Sequence, residues 1–179
     1  TQKKKNQQKI EYQAHNDFLT GLYNRMKCEN DLRHIVRKAV RDKEKGAVLF
    51  MDLDDFKHIN DGLGHQYGDV LLQQVAAGLQ GIAGIRGHCY RMGGDEFAVL
   101  YSGGPAEKIE ALRECCLQSF RDGEKPEFLG VSIGYEQVQD FESLAEVMKR
   151  ADEMMYVEKR EKQYARGYAA EDTKEVLMK

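Results

Sequence analysis

His88-Cys89-Tyr90-Arg91-Met92-Gly93-Gly94-Asp95-Glu96-Phe97-Ala98-Val99-Leu100-Tyr101 contains two strand-like runs, His88 to Met92 and Phe97 to Tyr101, on either side of a glycine pair. Adjacent glycines accept positive φ, so the pair predicts a tight hairpin with Asp95 and Glu96 in or beside its turn. Upstream, Ala47-Val48-Leu49-Phe50-Met51 is an unbroken apolar run that reads as a buried central strand. It leads directly into Asp52, Asp54 and Asp55. Both segments are therefore apolar stretches ending in adjacent carboxylates. If the strands are neighbours, those carboxylates converge at one end of a sheet.

Other elements follow from spacing. Leu32, Ile35, Val36, Ala39 and Val40 fall at helical intervals, with Asn24 able to cap the helix and Lys45-Gly46 able to stop it. Asp54 to Gly68 reads as a polar, glycine-containing loop in which Asn60-Asp61-Gly62 is a turn signal. Leu72, Val75, Ala76 and Leu79 mark a second helix, with Asp69 as its N-cap or first-turn acid. The glycines from Gly81 to Gly87 argue against regular helix there. Ser102-Gly103-Gly104-Pro105 is a turn, and Ile109, Leu112 and Cys116 outline a third helix. Phe128 to Tyr135 is strand-like, and Leu144, Val147, Met148, Ala151 and Met155 outline a fourth helix. A strand, a helix and then a hairpin predict a mixed sheet with helices packed on it.

The 179 residues suit one domain, with 41% hydrophobic and 32% charged residues as in an ordinary soluble globular protein. Three regions are expected: residues 1–16 as a linker helix or a solvated tail, 17–165 as the functional domain, and 166–179 as a tail. A net charge of −3 gives no field that favours nucleic acid or an anionic membrane. No apolar run reaches bilayer-spanning length, so direct membrane contact is not expected. Cys28, Cys89, Cys115 and Cys116 lack the spacing of a zinc or redox motif and read as reduced thiols of a cytoplasmic protein.

Either acidic cluster alone reads as solubilising decoration of a strand end. Two of them, each straight after a strand, point to a metal site. Magnesium prefers oxygen ligands, takes few carboxylates, and keeps positions for water and phosphate. Asp52 with Asp95 supplies that count, and Lys57 lies close enough in sequence to neutralise phosphate charge. A base pocket is the functional alternative to a plain loop around Asn60 and His65. There a carboxylate would accept guanine's N1–H and amino protons, and Asn60 would add an amide contact.

The chain resembles the GGDEF domains, the diguanylate cyclases of bacterial signalling, over Asp17 to about Lys159. Asp17-Phe18-Leu19-Thr20-Gly21-Leu22-Tyr23-Asn24-Arg25, Asp52 through Asp61, Gly64-His65 with Gly68-Asp69, Arg91 through Phe97, Val131 to Gly134, and Ala151-Asp152 through Lys159 are similar to its motifs, in the family's order. The resemblance implies an α+β fold like the palm-type nucleotidyl cyclases: a βαββαβ core with a mixed, mostly antiparallel sheet, flanking helices and a GGDEF hairpin. It implies condensation of two GTP into cyclic di-GMP and two pyrophosphates, with two domains meeting as a homodimer. By matched position, Asp52, the Leu53 carbonyl and Asp95 would bind Mg2+ (or Mn2+). Asp95 and Glu96, with Lys57, would be catalytic. Lys57 and Lys159 would contact phosphates, and Leu53, Phe56, Asn60, His65 and Asp69 would line the substrate pocket. Asp69 favours GTP over ATP. An upstream sensor or dimerisation domain in the parent protein, itself possibly membrane-tethered, is implied as a partner.

Two departures from the family pattern stand out. Gly84 and Gly87 occupy the positions of an Arg-x-x-Asp product-binding site, so feedback inhibition through such a site is not expected. Gln163 falls where the family carries a phosphate-holding arginine, with Lys162 or Arg166 as substitutes. The competing readings are a catalytically silent GGDEF domain acting as a GTP-binding or protein-interaction module, and a cyclase making a different nucleotide. The intact Asp52, Lys57, Asp95 and Glu96 argue against the first, and Asp69 against the second.

Overall fold

The apolar run that starts at Ala47 becomes a strand buried along its whole length, and the other elements are arranged around it. The structure, a computed structural model, describes residues 1–42, 46–83, 87–102, 130–138 and 144–165. Its elements are α1 (Gln2–His15), β1 (Tyr23–Asn24), α2 (Arg25–Asp42), β2 (Gly46–Leu53), α3 (Phe56–Leu63), α4 (His65–Ala83), β3 (Gly87–Gly93), β4 (Glu96–Ser102), β5 (Val131–Val138) and α5 (Leu144–Ala165). The five strands form one sheet in the order β1-β3-β4-β2-β5. β1 runs parallel to β3, and every other pairing is antiparallel, so the sheet is mixed and mostly antiparallel as expected.

Strand alternation divides the core between the two faces of the sheet. Leu49, Met51, Leu53, Phe97, Val99, Val131 and Ile133 face one side, against Ile59 of α3 and Leu71, Leu72, Val75, Ala76 and Leu79 of α4. Val48, Phe50, Ala98 and Leu100 face the other, against Cys28 and Leu32 of α2 and Val147, Ala151 and Met155 of α5. The hairpin forms where Gly93-Gly94 predicted it: Gly93 has φ 150° and Gly94 φ 50°, and β3 returns as β4.

The segment expected to be a loop is different. Residues 56–63 are helical, and the next helix opens at His65. Phe56, Ile59 and Leu63 are spaced for one helical face, and Ile59 is buried, so packing overrides the Asn60-Asp61-Gly62 turn signal. The chain turns instead at Gly64, whose φ of 88° few other residues tolerate. Asp69 consequently lies in the second turn of α4 and is neither its N-cap nor a first-turn acid. α4 also continues through Gly81 to Ala83, where Gly81 is exposed and a side chain would meet nothing. α5 extends well past the Met155 that last marked it in the sequence, and β5 runs on to Val138.

Asn24 caps α2 as expected, its Oδ1 accepting the Lys27 amide at 3.0 Å. Residues 2–15 are helix rather than tail, yet α1 buries no residue, and Ile10 and Tyr12 are exposed. The expected third helix around Ile109 to Cys116, the turn after Ser102, Gly84, Phe128 and the region after 165 lie outside the described residues.

Candidate active site

β2 ends in the buried residues Asp52 and Leu53, and Asp54 just beyond it is buried as well. Its register pairs Asp52 with Glu96 of β4 on one side and with Ser132 of β5 on the other. The hairpin turn therefore sits beside the end of β2, and the Leu53 amide donates to the Asp95 carbonyl at 3.3 Å. The two acidic segments, about forty residues apart in sequence, meet at one end of the sheet, where the Asp52 and Asp95 carboxyls are near enough to act on each other electrostatically.

That meeting is electrostatically strained. Burial pushes the Asp52 carboxyl above its usual range, and repulsion from Asp95 and Asp54 adds to this despite the Lys159 ammonium. Burial likewise raises Asp95, with Glu96 adding to it. Glu96 is raised by burial and by the Asp52 and Asp152 charges, partly offset by Arg25 and Lys159. Lys159 Nζ lies 2.5 Å from Asp52 Oδ1. Burial alone would lower the Lys159 ammonium, but its carboxylate neighbours outweigh that and hold it above its ordinary value.

Two neighbouring carboxyls, Asp52 buried and Asp95 half-buried, plus the Leu53 carbonyl make a hard-oxygen donor set. Among the described residues no three or more His, Cys, Asp or Glu side chains form a metal-holding cluster.

A cleft of about 540 Å³ opens at this spot, lined among others by Leu53, Phe56, Lys57, Asn60, His65, Asp95 and Lys159. Seven of the residues expected to bind substrate or metal or to act in catalysis therefore line one cavity. Asp52 lies beside it on Lys159, and Glu96 faces the α2 and α5 side of the sheet. Asp69 is exposed and outside this lining, but it stands one helical turn beyond His65 on the same face of α4. Asn60 Oδ1 is buried with no hydrogen-bond partner among the described residues. Its position requires glycine at 68, because a Cβ there would lie 1.9 Å from that oxygen.

The cleft also contains Asp55, His58, Asp61 and Gln163. Once 56–63 is read as helix, Lys57 and Asp61 fall one turn apart, a signal that the loop reading hid. Lys162, expected as a substitute phosphate ligand, instead contacts Asp54 and Glu158 and donates to the Val131 carbonyl. Arg166 lies outside the described residues.

The hairpin turn is braced from behind. Arg91 Nε and Nη2 donate to the Gly94 carbonyl at 3.1 and 2.8 Å, and Nη1 donates to both Asp17 oxygens at 3.0 and 3.2 Å. Thr20 adds its amide and hydroxyl to Asp17 Oδ1 at 2.9 and 2.7 Å. Burial by itself would raise Asp17, but the Thr20 and Arg91 donors win and hold it below the usual carboxylate range. Folding therefore favours the Asp17 anion. Its contribution is complete above the unfolded-state carboxylate pKa and disappears as pH falls through the lower folded value. Asp17→Asn is expected to lower stability by about 1–2 kcal/mol at neutral pH, with the gap to the unsubstituted protein closing below the carboxylate range. Urea unfolding at several pH values measures it, and a pH-independent gap would contradict the assignment.

A family model described as "Diguanylate cyclase, GGDEF domain" matches residues 14–165. The bifunctional diguanylate cyclase/cyclic di-GMP phosphodiesterase MucR of Pseudomonas aeruginosa is 36% identical over 84% of this chain and 23% of its own length. The diguanylate cyclase TpbB of the same species is 35% identical over 89% of this chain and 38% of its own. The chain thus spans about a quarter and about two fifths of these relatives. A crystal structure of the coiled coil and GGDEF domain of DgcB from Caulobacter crescentus, in complex with c-di-GMP, superposes with a TM-score of 0.81 at 26% identity, covering 89% of this chain and 87% of that one.

Proposed function

The chain belongs to the GGDEF domain family of diguanylate cyclases, and on that premise we propose that it condenses two GTP molecules into cyclic di-GMP, working as a homodimer with one GTP on each copy. The observation that carries this reading is the strand register that sets Asp52 next to the hairpin turn of Asp95, beside a cleft lined by Asp95, Lys57 and Lys159. The catalytic unit is residues 17–165.

The ribose 3′-oxygen of one GTP forms a bond to the α-phosphorus of the other. The bond from that phosphorus to the β-bridging oxygen breaks, and pyrophosphate leaves. Asp95 accepts the 3′-hydroxyl proton, with Glu96 beside it, and a second such step closes the ring. Asp52, the Leu53 carbonyl and Asp95 would hold Mg2+ or Mn2+, which when bound would neutralise triphosphate oxygens and polarise the reacting phosphate. Lys57 and Lys159 draw negative charge away from the leaving pyrophosphate. Asn60 offers its side-chain amide to the base or ribose, His65 supports the same wall, and Asp69 accepts the guanine N1–H and amino protons. Adenine presents a lone pair at the N1 position, so Asp69 selects GTP.

GTP is a cytoplasmic substrate, and we assign the domain to that compartment. No helix among the described residues is long and apolar enough to cross a membrane. α1, without a buried residue, is the element on which a sensor or dimerisation domain would act.

Concentrated protein incubated with Mg2+ and either GTP or ATP, with products resolved by chromatography, tests the proposal. Cyclic di-GMP from GTP alone is expected. Bound GTP without product would favour the silent regulatory module, and a product from ATP would refute the role of Asp69. A second expectation concerns the cleft wall. Gly68→Ala leaves the protein folded, because Asn60 and Phe56 side chains can give way. The displaced Asn60 amide raises the KM for GTP about tenfold, the scale of one lost hydrogen bond to a buried polar group. An unchanged KM would remove Asn60 from the substrate pocket.

A further inference from the structure

The second half of α5 is attached to the sheet differently from the first. Val147, Ala151 and Met155 are buried, but after Met155 no described residue of the helix is. Tyr156, Val157 and Tyr164 are exposed. What holds residues 156–165 to the sheet is polar. Lys159 pairs with Asp52, and one turn on, Lys162 reaches Asp54, Glu158 and the Val131 carbonyl.

An ammonium has three protons, and Lys162 has three acceptors: Asp54 Oδ2 at 3.4 Å, Glu158 Oε1 at 2.9 Å and the Val131 carbonyl oxygen. No donor is left over for a phosphate. Its Asp54 partner is fixed from two other directions, accepting the Ser132 hydroxyl at 2.6 Å and donating its amide to the Gly130 carbonyl at 2.9 Å. Only 3% of the Asp54 side chain is exposed, so this carboxylate is a buried anchor at the junction of β2 and β5. Lys159 and Gln163 flank Lys162 on the same side of the helix, and both line the cleft.

We propose that Lys162 is a positioning residue: its grip on Asp54 and the Val131 carbonyl clamps the last turns of α5 to the sheet end, and thereby presents Lys159 to the triphosphate of bound GTP. The proposal rests on the cyclase reading above. It also accounts for a lysine outside the cleft lining, between two residues that belong to it.

The test uses 3′-deoxyGTP with Mg2+, which lacks the attacking hydroxyl and so reports binding without turnover. Lys162→Met keeps the aliphatic stem and removes the charge. It is expected to weaken binding about tenfold, and to raise the KM for GTP equally while kcat stays within about threefold. Lys162→Arg, which keeps a donor set for Asp54, is expected to recover most of the loss. In a Lys159→Met background, Lys162→Met should add less than about threefold, because residues acting through one another are not additive. Unchanged binding in Lys162→Met, or full additivity with Lys159→Met, overturns the proposal. If Lys162→Met does not fold, Lys162→Gln, which is shorter by one atom and lacks the charge that pairs with Asp54, carries the same comparison. Failure of the unsubstituted protein to bind 3′-deoxyGTP would refute the cyclase reading and this proposal together, whereas binding that ignores Lys162 refutes the clamp alone.

Discussion

Asp95→Ala is expected to lower cyclic di-GMP formation on the order of 10³-fold or more while the protein melts at the same temperature or higher. The two halves of this expectation have one cause. Asp95 and Asp52 are partly buried, close together, and both pushed above their usual carboxylate range, by burial first and then by neighbouring negative charge. A carboxyl whose pKa is raised by folding disfavours the folded state at neutral pH, so its removal relieves strain. An acid kept for stability would behave in the opposite way. Product chromatography beside a thermal melt separates the cases: persistent turnover would remove Asp95 from the metal site, and a clear drop in melting temperature would make it a structural residue.

Gly134→Ala is expected to be the most damaging single-methyl change described here. Gly134 pairs with Phe50 in the sheet and lies under α5. A Cβ there would stand 1.9 Å from the Ala151 carbonyl oxygen and 2.4 Å from the Met155 amide nitrogen. Both are backbone atoms of a helix and cannot rotate away, so α5 must lift from the sheet. Overpacking against movable side chains costs roughly 1–3 kcal/mol, and this contact belongs at or above the top of that range. Because α5 carries Lys159, Lys162 and Gln163, GTP binding falls with stability. Gly68→Ala provides the contrast, since its obstruction is a side-chain amide. Chemical denaturation of the two variants should rank Gly134→Ala as much the less stable. Equal stabilities would mean that α5 sits farther from β5 than described.

The hairpin and the central strand were legible because their signals are local: a glycine pair between strand-like runs, and an apolar run ending in acids. Segment 54–68 was not. Its Asn-Asp-Gly tripeptide is a strong turn signal, and only packing of Ile59 against the sheet explains why helix prevails. That error also displaced Asp69 from the start of α4 and concealed His58 and Asp61 as cleft residues. For residues 1–16 helix and tail remained equally open, because nothing in that stretch is buried. The Asp54–Lys162 contact spans 108 residues and carries no local signature. Only the register of β2 with β5, which sets Ser132 beside Asp52, makes it visible.

The proposed cyclase requires Asp52 and Asp95 jointly to hold a divalent cation against a nucleotide triphosphate. Crystals grown with 3′-deoxyGTP and Mn2+, measured for anomalous scattering from manganese, test this directly. The predicted result is a peak about 2.0–2.3 Å from carboxylate oxygens of both Asp52 and Asp95, in contact with nucleotide phosphate. Manganese bound by neither carboxylate, with the nucleotide in the cleft, would contradict it.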